Sequence, residues 1–349
     1  MGTVVARAPG RVSLAGGGTD LPAWYEKHGG AVVSLAISRG ATATIADRAS
    51  GLELVAPDDD VRELITPEKY ARRMRHPFLS REFLTLHKAV AWHFGLDHAR
   101  LAASSEIPAG VGLGASAAVC VALVTAAASY SGERMDHWRI AQIAARIEMT
   151  ILRRPCGKQD PFVSAFGGIN LYEFLRDGTV TVTPVGMTPD ARRTLESHLL
   201  LFTNGTRRNS AVPLAELARR IPEDGQTSLA MYEIRDTAYL TRTALERGDI
   251  TTIGALVDRC WRAKRQLHPN VATSEVDRAY ALARRAGALG GKLCGAGMGG
   301  ALLLVCPPEA QPELRQVLAT QGWRAEHVVV DTDGATVVES PERAASAEL

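Results

Sequence analysis

Residues 108–120 read PAGVGLGASAAVC, a glycine-rich loop followed directly by small and apolar residues that continue to Ser131 and Gly132. Glycine at positions 110, 112 and 114 leaves the backbone N–H groups unobstructed, and the helix predicted after the loop adds unpaired donors and the positive end of its dipole. Such an arrangement binds anions, above all phosphate. It is neither a Walker loop nor a dinucleotide fingerprint, since both consensus patterns are broken. The segment either holds a phosphate group or closes a buried helix.

The rest of the composition describes a soluble protein of ordinary charge. A length of 349 residues predicts two domains or one large one. Lys plus Arg (40) nearly balances Asp plus Glu (38), which argues against a nucleic-acid partner. Five cysteines without a C-x-x-C pair predict neither disulfides nor a zinc site. No apolar run of membrane length and no leader-like start is found, so a cytoplasmic location is expected.

Glycine is concentrated in four segments of the chain. Of 32 glycines, 19 lie within residues 10–30, 110–114, 157–168 and 287–300. Clusters of this kind, without a repeat period, are typical of places where the backbone approaches a ligand closely. The four segments are therefore the candidate site.

Hydrophobic patterning predicts a chain of mixed strands and helices. Short strands are predicted at 4–8, 31–37 and 41–46, and helices after the 108–114 loop and over 136–152. A hairpin turning at Asp177 and Gly178 follows. Residues 185–197 separate it from a fresh strand at 198–205, so we place a domain boundary there. Two or three helices are predicted over 212–267, then helix, glycine loop, strand, helix and strand over 276–330.

The segment GGGTD, residues 16–20, follows a strand that contains Arg11. Its glycines allow a small polar ligand to lie against the main chain, and the Asp20 carboxylate can accept two hydroxyl hydrogen bonds, as in sugar and polyol sites. The alternative is a tight turn with a capping aspartate.

A third segment, GKQDPF at 157–162, places a carboxylate two residues after a lysine. Asp160 suits a general base that takes a hydroxyl proton, and Lys158 would lower the carboxylate's pKa or steady the transferred group. Glu148, in the preceding helix, could hold Mg²⁺ together with the Ser116 hydroxyl. The alternatives are a turn residue for Asp160 and a solvated helix face for Glu148.

Three of these segments resemble the motifs of the galactokinase, homoserine kinase, mevalonate kinase and phosphomevalonate kinase (GHMP) superfamily. RAPGRVSLAGGGTD at 7–20, PAGVGLGASAA at 108–118 and KLCGAGMGGALLLV at 292–305 occur in the family's order. GGAVVSLAI at 29–37, GKQDPFVSAFGGIN at 157–170 and FTNGTRRNSA at 202–211 are most similar to heptose 7-phosphate kinases and, less closely, to fucose kinases.

The resemblance implies an α+β GHMP kinase fold. Residues 1–188 would form an N-terminal domain like domain 2 of ribosomal protein S5, residues 189–340 a ferredoxin-like C-terminal domain, and residues 341–349 a polar tail. ATP would lie between the domains, bound by Pro108, Gly110, Gly112, Leu113, Gly114, Ala115 and Ser116. Mg²⁺ would be held by Ser116 and Glu148. The catalytic group would be Asp160, Lys158 and Arg11, and the substrate contacts Gly17, Gly18, Thr19, Asp20, Arg207 and Gly297.

The implied reaction is phosphorylation of the C1 hydroxyl of a heptose 7-phosphate. A substrate phosphate needs a cationic anchor, for which Arg72-Arg73-Arg75, Arg153-Arg154 and Arg207-Arg208 are candidates. Met298 and Ala117 depart from the family pattern without removing a charge. The alternatives are a kinase for fucose, another free sugar or an amino-alcohol, a mevalonate-type decarboxylase, and a catalytically silent sugar sensor. A homodimer is left open, and neither a nucleic acid nor a membrane is expected as a partner.

Overall fold

A computed structural model of the chain describes residues 2–70, 84–206, 211–221, 225–268, 271–297 and 299–339. Its strands are β1 (Thr3–Ala15), β2 (Gly30–Asp47), β3 (Leu52–Ala56), β4 (Val61–Ile65), β5 (Ala99–Ser105), β6 (Ile169–Phe174), β7 (Val180–Pro184), β8 (Leu199–Thr203), β9 (Gly290–Leu293), β10 (Ala301–Val305), β11 (Arg324–His327) and β12 (Thr336–Glu339). Its α-helices are α1 (Pro22–His28), α2 (Thr85–His93), α3 (Ala115–Tyr130), α4 (His137–Arg146), α5 (Gln159–Phe166), α6 (Pro189–His198), α7 (Ala211–Arg220), α8 (Gly225–Glu246), α9 (Ile250–Arg265), α10 (Ser274–Arg285) and α11 (Gln311–Ala319).

The N-terminal sheet is built on two long strands rather than the three short ones predicted. β1 and β2 pair antiparallel from Thr3↔Ala46 to Ala15↔Val33, with irregularities at Pro9/Gly10 and Ser13/Ala15. β2 is long because it changes partner along its length, pairing with β6 over its first part and with β5 over its second. The sheet order is β12-β1-β2-β5-β3-β4, with β6 and β7 continuing from β2.

The predicted core helix is α3, whose alanine-rich sequence lets it pack closely on the sheet. Positions 117–118 and 120–128 are buried, and the helix contacts β1, β2 and α5. The helix predicted over 136–152 is present as α4 followed by a π-helical turn, Ile147–Ile151. That turn carries Glu148, and such irregular turns are frequent at functional sites.

The C-terminal sheet has the order β11-β8-β10-β9 and is antiparallel throughout. When these four strands are numbered along the chain, their order in the sheet is 4-1-3-2, as in a β-α-β-β-α-β unit. The expected ferredoxin-like domain is therefore confirmed. Its central strand β10 is wholly buried. Side chains of both sheets, including Leu14 and Val33 from the first and Leu201 and Leu303 from the second, belong to one apolar core.

The boundary expected near residue 189 coincides with the start of α6, whose cap Thr188 accepts the Ala191 N–H at 3.1 Å. At the far end of the expected domain 189–340, β12 returns to the first sheet and pairs with β1. An ion pair between Arg7 and Asp331 (2.8 Å) fixes this return. The expected polar tail, 341–349, lies outside the described residues. Within the described part of the chain, every helix is too short or too polar to cross a lipid bilayer.

Candidate active site

A cleft of about 820 Å³ lies between the two sheets and is lined by all four glycine-rich segments. The lining glycines are Gly17 and Gly18 from the first segment, Gly110, Gly112 and Gly114 from the second, Gly157 from the third, and Gly295, Gly297 and Gly299 from the fourth. The structure therefore brings the four segments together in one cleft.

The loop before α3 has the backbone expected of an anion cradle. Gly110, Gly112 and Gly114 have φ of 82°, 80° and 78°, which side-chain-bearing residues rarely adopt. Gly114 is the N-cap of α3, and no side chain caps the helix. Pro108, Ala115 and Ser116 line the cleft beside them, whereas Leu113 is buried. The N-terminus of α3 thus lies at the cavity, and no side chain caps its first N–H groups.

The fourth glycine segment fixes this loop from the other domain. A Cβ on Gly112 would lie 2.7 Å from the Cys294 carbonyl oxygen, and one on Gly295 would lie 2.6 Å from the Gly112 Cα. The Ala301 N–H donates to the Val111 carbonyl at 2.9 Å. Larger residues at 112 and 295 would push the two backbones apart. The departure expected at Met298 lies outside the described residues.

Asp160 and Arg11 form a bidentate ion pair at the centre of the cleft. Nε of Arg11 donates to Oδ1 at 2.8 Å and Nη2 donates to Oδ2 at 2.7 Å. Arg11 is only 6% exposed, and its Nη1 also donates to the Gly112 carbonyl. Burial alone would lower the pKa of Arg11, but the charge and hydrogen bonds of Asp160 raise it. One buried arginine therefore joins the carboxylate to the glycine loop.

Lys158 does not contact Asp160, so the expected Lys158–Asp160 pairing is wrong. The Lys158 Nζ donates to the Gly178 carbonyl of the β6–β7 hairpin and lies 5.0 Å from the centroid of the Tyr25 ring. Lys158 occupies the N-cap position of α5 without a side-chain cap, while Asp160 lies in the first turn. Residues two apart on a helix do not face each other, which is why the sequence spacing misled.

Ser116 and Glu148 meet as expected of a shared metal site. The Ser116 hydroxyl donates to Glu148 Oε1 at 2.8 Å, and Arg154 Nη1 donates to both, at 2.6 Å and 2.9 Å. Burial raises the pKa of Glu148, while Arg154 and Ser116 oppose the rise. Arg154, a candidate phosphate anchor, is thus already an ion-pair partner, and Arg153 is exposed.

This donor set fits Mg²⁺, which prefers one or two carboxylates completed by phosphate oxygens and water. The described residues contain no cluster of three or more His, Cys, Asp or Glu side chains that would form an all-protein metal cage. One carboxylate and one hydroxyl at the start of α3 are therefore the kind of site in which a nucleotide supplies the remaining ligands.

Hydrogen bonds and close packing at Asp20 hold the GGGTD loop in place. The Asp20 carboxylate, 7% exposed, accepts the N–H groups of Gly18 (3.1 Å) and Gln159 (3.0 Å), and burial raises its pKa. A Cβ on Gly157 would lie 1.9 Å from Asp20 Oδ2, so only glycine allows this contact. Asp20 therefore caps α5 while it lines the cleft, which combines both interpretations of the motif.

Thr19, expected to contact substrate, is fully buried and is not among the residues that line the cleft. Its hydroxyl lies within hydrogen-bonding distance of the Gly16 and Ala31 carbonyls (2.8 Å and 3.0 Å) and accepts the Ala31 N–H. The residue anchors the loop to β2. Arg207, Arg208 and the 72–75 arginines lie outside the described residues.

Sequence reasoning missed two lysines in the cleft, Lys264 on α9 and Lys292 on β9. They are 8% and 2% exposed. The Lys264 Nζ donates to the Gly295 carbonyl, and the Lys292 Nζ lies 3.4 Å from the Ser13 Oγ. A signal was present, because Lys264 continues the core-facing spacing of Val257 and Trp261 along α9, where a charged residue is unusual.

Two family models match the chain. The GHMP kinases N-terminal domain matches residues 82–168, and the GHMP kinases C-terminal domain matches residues 241–322. The first match contains the α3 loop, Glu148 and Asp160, and the second contains both buried lysines and the fourth glycine segment. The family matches therefore cover most of the cleft.

Known proteins resemble the chain over nearly its whole length. The D-glycero-alpha-D-manno-heptose 7-phosphate kinase of Campylobacter jejuni is 29% identical over 91% of this chain and 94% of its own. A crystal structure of a D-glycero-D-manno-heptose 1-phosphate kinase from Bacteroides thetaiotaomicron superposes with a TM-score of 0.77 at 25% identity, over 96% of this chain and 99% of its own. Lactococcus lactis galactokinase, at 16% identity, 96% and 95% coverage and a TM-score of 0.75, shares the fold. The chain therefore carries the N- and C-terminal domains of GHMP kinases, and its similarity to sugar kinases supports an ATP-dependent sugar kinase.

Proposed function

We propose that this kinase transfers the γ-phosphoryl group of ATP to the C1 hydroxyl of a heptose 7-phosphate, with Asp160 as the general base. The observation that carries the proposal is the position of Asp160, held by Arg11 directly beside the glycine loop that precedes α3. The general base and the phosphate-binding backbone are thus joined by a single side chain. An acceptor hydroxyl near Asp160 would lie in line with the transferred group.

The nucleotide phosphates would bind the loop formed by Pro108, Gly110, Gly112, Leu113, Gly114, Ala115 and Ser116. Backbone N–H groups at the start of α3 would neutralise the charge that spreads over the transferring phosphoryl oxygens. Because those dipoles are fixed by the packing of Gly112 on Gly295, they need no reorganisation during the reaction. This explains how a chain of nearly neutral net charge can hold a triphosphate.

In the transfer step, the acceptor oxygen forms a bond to the γ-phosphorus while the bond from that phosphorus to the β,γ-bridging oxygen breaks, releasing ADP. The proton of the acceptor hydroxyl goes to Asp160. A carboxylate that accepts two hydrogen bonds from Arg11 still has free lone pairs, so it can receive this proton. Arg11 fixes the orientation of the carboxylate.

Ser116 and Glu148 would hold Mg²⁺ at the nucleotide side of the cleft. When bound, the ion would neutralise phosphate charge in the ground state and the transition state. Glu148 is suited to this because it is a buried carboxylate already within hydrogen-bonding distance of the Ser116 hydroxyl.

The heptose 7-phosphate is proposed because the Campylobacter jejuni relative of that name aligns over almost the full length of both chains. A free sugar is the second candidate: the Arabidopsis thaliana bifunctional fucokinase/GDP-fucose pyrophosphorylase is 26% identical over 89% of this chain and 30% of its own. The presence of Asp160, Arg11 and Glu148 in one cleft argues against a silent sugar sensor. The cytoplasmic location and the homodimer stay predictions from the sequence.

The experiment is a measurement of ADP release with a panel of acceptors: D-glycero-D-manno-heptose 7-phosphate, the free heptose, fucose, galactose and mevalonate. The proposal expects the phosphorylated heptose to give the highest kcat/KM and the product to be the 1,7-bisphosphate. The Asp160→Asn protein serves as the control for contaminating kinases. Preference for any unphosphorylated acceptor would contradict the proposal.

A further inference from the structure

Lys264 on α9 and Lys292 on β9 both line the cleft. Their side chains are almost completely buried, and their hydrogen bonds go to neutral groups, the Gly295 carbonyl and the Ser13 hydroxyl. Within the described residues neither lysine has a carboxylate in ion-pair contact. Buried lysines without a carboxylate partner are rare and costly.

The charged groups nearest to Lys264 make this cost larger. Lys292 and Arg11 both act on it as like charges, and together with burial they lower the pKa of Lys264 to about 7. Arg11 is balanced by Asp160, whereas the two lysines are not balanced by any described carboxylate. This part of the cleft therefore carries excess positive charge that an anionic ligand would neutralise.

Lys292 lies towards the acceptor side, whereas Lys264 binds the Gly295 carbonyl, where the fourth glycine segment packs on the 108–114 loop. Lys292 approaches Ser13 on β1, and the Ser13 Oγ is 3.2 Å from the place where a Cβ on Gly17 would lie, so Lys292 adjoins the GGGTD loop. Ser116, Glu148 and Arg154 form a separate polar group at the start of α3. The cleft thus has two separate sets of charged side chains, the two lysines and the Glu148–Arg154 pair. The Asp160–Arg11 pair contacts the glycine loop.

We propose that Lys264 and Lys292 form an anion subsite that binds a phosphate group carried by the acceptor sugar. The inference rests on the proposed function, since it assigns residues to the acceptor's own phosphate. It assigns to two lysines of the C-terminal domain the anchoring role for which the sequence offered the arginines at 72–75, 153–154 and 207–208 as candidates. Phosphate fits because its oxygens can accept hydrogen bonds from both side chains, and a bound dianion favours the charged form of Lys264.

The first test uses Lys264→Met and Lys292→Met, which keep side-chain length and remove the charge. Lys27→Met, at an exposed lysine on α1, is the matched control. With ATP saturating, each cleft variant should raise the KM for D-glycero-D-manno-heptose 7-phosphate by about 10- to 100-fold, as expected for a lost charge-assisted hydrogen bond. The KM for ATP and the kcat/KM for the free heptose should stay within about two-fold, and the control should match wild type.

An increase in the KM for ATP, or equal losses with both heptoses, would overturn the proposal and assign the lysines to the γ-phosphate. Thermal denaturation of each variant shows whether it is folded. Removal of an unbalanced buried charge should leave the melting temperature unchanged or raise it.

The second test does not depend on which sugar is the substrate. Inorganic phosphate is titrated calorimetrically into the protein saturated with Mg²⁺ and a non-hydrolysable ATP analogue. Wild type should bind phosphate, and the two cleft variants should lose at least about ten-fold in affinity. Binding that occurs only without the analogue, or that is unaffected by both substitutions, would refute the subsite. If wild type used no phosphorylated heptose yet bound phosphate in this way, the proposed substrate would fail and the subsite would stand.

Discussion

The guanidinium of Arg11 donates to both carboxylate oxygens of Asp160, at 2.8 Å and 2.7 Å, across 149 positions of sequence. Arg11 lies in β1 and Asp160 in the first turn of α5, so the pair forms only when this helix packs on the sheet. The third nitrogen of Arg11 reaches the Gly112 carbonyl. The geometry therefore ties the base, the sheet and the phosphate loop together.

Replacing Arg11 by lysine should lower kcat by about 10- to 100-fold. Lysine keeps the charge but cannot donate two parallel hydrogen bonds to one carboxylate, so Asp160 loses its orientation. Steady-state kinetics of Arg11→Lys should be compared with those of Arg7→Lys, which alters the ion pair with Asp331 away from the cleft. Similar kcat values for the two variants would show that the bidentate geometry is unimportant for turnover.

Removing the proposed metal ligands should change the Mg²⁺ dependence of the reaction and not the binding of the acceptor. Ser116→Ala and Glu148→Gln should raise the Mg²⁺ concentration needed for half-maximal rate by about ten-fold or more, because each ligand is one of few from the protein. The KM for the acceptor should change little. Ser129→Ala, on the same helix outside the cleft, is the control. A defect in acceptor KM with normal Mg²⁺ dependence would overturn the assignment.

Lys158→Met should keep nearly full activity, within about three-fold of wild-type kcat. The ammonium group binds the β6–β7 hairpin and the Tyr25 ring, so the substitution removes a structural contact of about 1 kcal/mol or less. Initial-rate measurements with both substrates saturating test this directly. A loss of two orders of magnitude would restore the catalytic role that the sequence motif had indicated.

The stability of the unliganded protein should depend on pH through Lys264. Its pKa is about 7 in the folded protein, lowered by burial and then by Lys292, whereas an unfolded lysine titrates near 10.4. The unfolded chain therefore binds more protons between these values, and the free energy of unfolding rises with pH across that window. Cys260, Cys294 and Arg11 are the other ionisable groups near Lys264.

Urea denaturation in phosphate-free buffer measures this effect. Relative to Lys264→Met, wild type should gain up to about 1.4 kcal/mol per pH unit between about pH 7 and 8.5, because the cysteines that also titrate there are common to both proteins and cancel in the comparison. Parallel pH profiles for the two proteins would contradict a titration of Lys264 in this range.

Much of the fold and of the site could be predicted from the sequence, because glycine clusters and hydrophobic patterns are local signals. The 108–120 segment predicted both the loop and the buried helix, whereas the ferredoxin-like sheet was implied by the resemblance to GHMP kinases. Glu148 and Ser116 meet as expected, although the π-helical turn that aims Glu148 was not foreseen.

The errors concern side-chain direction and distant partners. Lys158 stands two residues from Asp160, yet the start of α5 turns it towards the hairpin, and Thr19 points into the sheet rather than the cleft. The partner of Asp160 lies 149 positions away, which no local pattern reveals. Lys264 and Lys292 converge only through the packing of α9 on β9, and β12 joins the first sheet after the whole second domain.

The most direct test of the account is single-turnover kinetics of Asp160→Asn, with Asp177→Asn on the exposed hairpin as the matched control. The substitution removes the proton acceptor with little change in shape, so the Asp160→Asn protein should bind ATP normally and lose about two to four orders of magnitude in the rate of phosphoryl transfer. The control should react at the wild-type rate. A near-normal transfer rate in Asp160→Asn would contradict the assignment of Asp160 as the general base.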